Sequence, residues 1–144
     1  MTLMQVLADP AKKSAVVADV AQLIDDEVQA RGGLSGIGLK AGYRAIKAIK
    51  PGIIRVVLDM MLPEFAPILD PFYNAGVAEG NVEAHFRKRA DPIANALLAV
   101  TDGRAERTTN AAIKRAYLAL RSTAQREVAA SVPKLAPLIA RHVK

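Results

Sequence analysis

The sequence predicts an all-α fold: a compact helical bundle of six to eight helices in one domain spanning residues 1–144. Three observations carry that prediction. Apolar residues recur at intervals of three and four, no stretch alternates with period two, and the breaks fall on Asp-Pro, Gly-Gly and Pro-Gly pairs. The composition agrees. Hydrophobic residues make up 51% and aromatics only 4%, so Ala, Val, Leu and Ile carry the core, and small side chains let helices approach closely. A chain of 144 residues buries enough surface to need no staple, and with no Cys it has no thiolate chemistry.

Each element has a local reason. Asp9 offers a capping carboxylate and Pro10 a first helical residue whose missing N–H leaves nothing unpaired; this helix runs to about Arg31 and stops at Gly32-Gly33. Val16, Val20, Leu23, Ile24 and Val28 form its apolar stripe, and Asp25-Asp26-Glu27 reads as a solvated acidic face. Ser35 is the expected cap of a second helix ending before Pro51. A third runs from Gly52 to Met61, the central core helix, and is expected to end at Leu62-Pro63. The stretch PEFAPILDPFYNAG reads as short turns, because proline lacks the amide a helix interior needs. Asp70-Pro71 and Asp91-Pro92 repeat the capping device. Short helices follow at 82–89 and 92–101, a long one from Thr108 or Thr109 to about Ala130, and a last one opened by Pro133.

One phrase occurs twice. LKAGYRAIK (39–47) returns as IKRAYLALR (113–121), and LPEFAPIL (62–69) returns as VPKLAPLI (132–139). This predicts two similar helical units, about 9–69 and 91–139, joined by 70–90 and packed around a common core.

No catalytic, cofactor or metal signature survives. GIGLKA (36–41) fits a loose dinucleotide fingerprint, but that motif needs a preceding strand. GLSG lacks the strand–turn–helix of a nucleophile elbow. His85 and His142 are the only histidines, and Glu83-x-His85 does not bring two ligands to one helix face. We therefore expect a non-enzymatic binding or interaction protein.

The charge suggests what it binds. The net charge is +6, yet residues 104–144 hold nine Lys and Arg against two Glu, which suits an anionic partner: an acidic protein, lipid headgroups or nucleic acid. Helical spacing gathers Lys40, Arg44 and Lys47 on one arc with Tyr43 at its edge, and aligns Lys114, Tyr117 and Arg121 in the echo. These seven are the candidate anion-binding residues, since a tyrosine among cations covers apolar surface while its hydroxyl meets an anion. The alternative is a carrier that holds a lipid-like apolar ligand in the Met-rich stretch 53–65, where Met side chains make adaptable walls. No signal peptide or membrane-crossing segment is expected. A cytoplasmic location and a homo-oligomer are both compatible with the chain.

Several of these pieces together resemble a known family. They are Gly33-Leu34-Ser35-Gly36, Lys40 with Tyr43, Lys50-Pro51-Gly52, Leu62-Pro63-Glu64-Phe65, Asp70-Pro71-Phe72, Leu97 to Asp102, and Ala116-Tyr117 with Leu120-Arg121. The chain is similar to a family of small bacterial all-helical proteins known only as a domain of unknown function. That resemblance covers most of the chain and implies an all-helical fold, with no activity or functional residues to carry over.

Overall fold

Asp9 accepts hydrogen bonds from the amides of Ala11 and Lys12 and sets Pro10 at the start of a 21-residue helix, as capping chemistry requires. A computed structural model describes the backbone of residues 1–144 and every side chain except that of Ser35. Among the described residues there are seven helices and no strand: α1 (Leu3–Leu7), α2 (Pro10–Ala30), α3 (Gly33–Lys47), α4 (Ile53–Glu79), α5 (Val82–Lys88), α6 (Ala90–Arg107) and α7 (Ala111–Val143).

Two of these helices pass through prolines that should have ended them. The helix expected to stop at Met61 continues to Glu79 with Pro63, Pro67 and Pro71 inside it, and α7 passes through Pro133 and Pro137 where a new helix was expected. An interior proline costs about 3 kcal/mol by propensity alone. The three in α4 are four residues apart, so they share a face, and all three are exposed. The carbonyl each ring displaces therefore lies on the wet side. The opposite face buries Ile53, Leu58, Met61, Leu62 and Leu69, at roughly 1.5–3 kcal/mol per side chain, a gain of the same size as the proline penalty. Gly80, at φ 89°, takes the left-handed conformation that ends α4.

Other local expectations are corrected by position. Asp70 does not start a helix. It lies within α4, and its carboxylate accepts the amides of Leu3 and Met4 at 2.8 and 3.1 Å, which ties α1 across the bundle. Sequence reading missed α1, which Thr2 and Gln5 close with a reciprocal capping box. Asp91-Pro92 sits in the first turn of α6 rather than before it, and Asn110 caps α7 instead of Thr108 or Thr109. The cap position of α3 is Gly32, so Ser35 falls inside the first turn; its side chain lies outside the described residues.

The core forms where α1, α2, α4, α5, α6 and α7 converge. Phe86 on the short α5 is fully buried, with Tyr73 of α4 edge-on to its ring, 6.5 Å between centroids. Leu3, Val16, Ile93, Val132 and Ile139 complete the centre. The 53–65 stretch is only half core, because Val56 and Met60 are each 48% exposed.

Candidate functional site

The two echoed phrases perform the same local task. Tyr43 is buried, and its hydroxyl donates to Asp25 on the preceding helix at 3.2 Å. Lys47, one turn on, lies 3.8 Å from the same carboxylate and 5.0 Å above the Tyr43 ring. In the echo, Tyr117 donates to Asp102 on the preceding helix and meets the Thr101 hydroxyl at 2.7 Å, while Arg121 grips both Asp102 oxygens at 2.8 and 3.2 Å. Each phrase is thus an Asp clamp that fastens a helix to the one before it. Burial and then the Asp25 hydrogen bond push the Tyr43 hydroxyl up to about 12. Burial and Asp102 raise Tyr117 likewise, and the Arg121 and Tyr117 hydrogen bonds hold Asp102 below its ordinary value.

Of the seven residues singled out by sequence, four are therefore occupied inside the fold: Tyr43, Lys47, Tyr117 and Arg121. Lys40, Arg44 and Lys114 have no ion-pair partner among the described residues, and neither do Lys50, Arg55, Arg107 and Arg115, which the spacing argument did not single out. Three nearby acids are taken up elsewhere, Asp25 and Asp102 by the clamps and Glu64 by Arg104 at 2.6 Å.

Of these cations, Arg107 stands where α4, α6 and α7 meet. A groove of about 310 Å³ is lined by Val57, Met60 and Met61 of α4, Arg104 and Arg107 of α6, and Ile113 and Tyr117 of α7. It brings together the start of α4, the end of α6 and the start of α7. Gly42 brings α3 onto α7: a Cβ at that position would overlap the Leu120 side chain, so the two helices touch where the two phrases cross. Lys114 follows the groove-lining Ile113 on α7, Lys50 is in the turn before α4, and Lys40 and Arg44 lie on the face of α3 turned away from Gly42. Val56, Met60 and Leu118 add exposed apolar surface, with Leu118 59% exposed. The Met-rich stretch and the second basic phrase, separate ideas at the level of sequence, line one groove.

A second cavity, about 290 Å³, runs between α2, α4 and α7 behind an almost wholly aliphatic wall. One edge is polar. Glu27, read from sequence as solvated, is only 7% exposed; it accepts from Ser131 at 2.9 Å and pairs with Lys134 and Arg31, and Arg31 also reaches Glu127. Burial works to raise the Glu27 carboxyl, but Lys134, Ser131 and Arg31 together hold it below its ordinary value. The sequence signal was Glu27-x-x-x-Arg31, a helical ion-pair spacing; its partners on α7 are about a hundred residues away. His85 is buried against Glu79 at 2.9 Å, and His142 meets Asp19 at 2.6 Å. Among the described residues no group of three or more His, Cys, Asp or Glu is placed to hold a metal ion. No helix is long and apolar enough to cross a membrane.

An all-helical bundle with a basic, apolar-grooved end is the class of protein that fold and site define. The chain belongs to a family of unknown function (DUF6918), matched over residues 3–143. No curated protein and no solved structure matches it.

Proposed function

We propose that the protein is a non-enzymatic binding protein that docks on an anionic lipid surface through the basic end of its bundle. The observation that carries this reading is the set of seven cations, Lys40, Arg44, Lys50, Arg55, Arg107, Lys114 and Arg115, without ion-pair partners among the described residues, in a molecule that also exposes Val56, Met60 and Leu118. Cations beside apolar side chains suit a headgroup layer, where each Lys or Arg near an anionic surface contributes about 1 kcal/mol and apolar groups enter the acyl boundary. Nucleic acid is the weaker partner. Single-stranded recognition draws on aromatic stacking, and both tyrosines at this end are tied to aspartates. A cytoplasmic site of action, at an anionic inner leaflet, belongs to the same proposal.

Co-sedimentation with vesicles tests it. Binding is expected to vesicles containing phosphatidylserine or phosphatidylglycerol, to fall as salt rises, and to be weak on phosphatidylcholine alone. Exchanging Lys40, Arg44, Lys114 and Arg115 for Ser should abolish it with the fold intact. Binding that ignores salt and lipid charge, or a stronger preference for DNA, would overturn the reading.

A further inference from the structure

The basic end is more than a flat charged face, because a groove runs into it. Its floor is apolar, from Val57, Met61, Ala105 and Ile113, and Met60 stands half exposed at its rim. Two guanidinium groups edge it. Arg104 is held by Glu64, whereas Arg107, in the last turn of α6, has no ion-pair partner among the described residues. We infer that this groove takes a single acyl chain bearing an anionic head, a carboxylate or phosphate, with the chain against Met60 and Met61 and the head on Arg107. The inference rests on the surface reading and names the ligand that reading leaves open.

Three features of the site argue for that occupant. The first is size: about 310 Å³ corresponds to the liquid volume of about ten waters, at about 30 Å³ each, and lies at the small end of ligand sites, roughly 300–1,000 Å³. That fits one medium-length chain and excludes a two-chain lipid held whole. The second is charge. Arg107 offers a planar, permanently charged fork suited to a carboxylate or phosphate, no Asp or Glu is among the lining residues, and Glu64 on α4 is already bound by Arg104. The third is wall chemistry. Unbranched Met side chains adapt to a flexible chain; Tyr117 and Thr101 are hydrogen-bonded to each other, Tyr117 also to Asp102 and Thr101 to the Leu98 carbonyl, whereas the Thr108 hydroxyl only accepts, from the Asn110 amide, and keeps its proton for an anionic head.

The test uses the intact protein with decanoate and decanol below their micelle limits, followed by calorimetry, alongside the vesicle assay. Wild-type protein should bind decanoate at least about ten-fold more tightly than decanol, as a charge-assisted hydrogen bond implies. Arg107→Gln should bring the two affinities together while leaving decanol binding unchanged. Ala105→Phe, which fills the floor, should weaken both by about ten-fold or more, with vesicle binding retained and folding checked by thermal denaturation. Arg107→Gln lies at an exposed position and keeps the test decisive should Ala105→Phe fail to fold. Absence of decanoate binding, or an Arg107→Gln protein that still prefers the carboxylate, overturns the groove assignment. Salt-sensitive vesicle binding that survives such a result leaves the surface reading standing, and chain binding without vesicle binding removes the surface reading instead. Phosphate and carboxylate heads are separated by repeating the titration with decyl phosphate.

Discussion

Asp25 and Asp102 each hold a tyrosine and a cation supplied by the following helix, so their effects are argued one side chain at a time. Asp102→Asn removes the charge that Arg121 grips with two hydrogen bonds and that Tyr117 donates to. The carboxylate is 40% exposed, so solvent screens the pair, and a loss of about 1 kcal/mol in urea denaturation is expected; a double-mutant cycle with Arg121→Gln should show coupling. The pH dependence has two sides. Tyr43 is raised from 10.0 to about 12, so the stability its neutral hydroxyl provides is present below pH 10.0 and lost as pH climbs toward 12. Tyrosinate absorbance should report this, and Asp25→Asn should lower the midpoint only in part, since burial is the larger cause. Glu27 and Asp102 are lowered from 4.5 and 3.8, so their stability is present above those values and lost as pH falls below them. A denaturation midpoint that holds steady through acid would contradict both assignments.

At the scale of the element, proline and glycine act through the face they occupy. Pro67 is exposed within α4. Pro67→Ala is expected to stabilise the protein by about 1–3 kcal/mol through the restored amide and better propensity, read as a higher melting temperature. A lower one would mean that the ring packs against something. The helical period was legible in α2, α3 and α5, and Asp9-Pro10 marked its helix start to the residue. The continuity of α4 and α7 was not legible. Local rules count each proline as a break, and only the solvent exposure of all three α4 prolines shows why the helix survives them.

The whole molecule sets which cations stay free. Gly42 lets α3 lie against Leu120 of α7, and that crossing sets the face of α3, with Lys40 and Arg44, that is turned away from α7. Gly42→Ala should cost about 1–3 kcal/mol by overpacking and weaken vesicle binding; adding Leu120→Ala should recover much of the stability, because the clash is with a flexible side chain. Recovery of stability without any change in vesicle binding at either step would separate the crossing from the docking face.

The sequence by itself determined that this is an all-helical chain with a basic C-terminal third, because helix period, capping residues and charge are local properties that need no partner. It also marked Tyr43 and Tyr117 as equivalent. Only the tertiary structure decided what those tyrosines do. Asp25 is 18 residues from Tyr43, and Arg31 is 96 from Glu127, and no spacing rule reaches across separate helices. Lys47 and Arg121 looked as free as Lys40 and Lys114 in the sequence. Packing gave the first two a carboxylate and left the others without one, and it set the Met-rich face of α4 beside the start of α7.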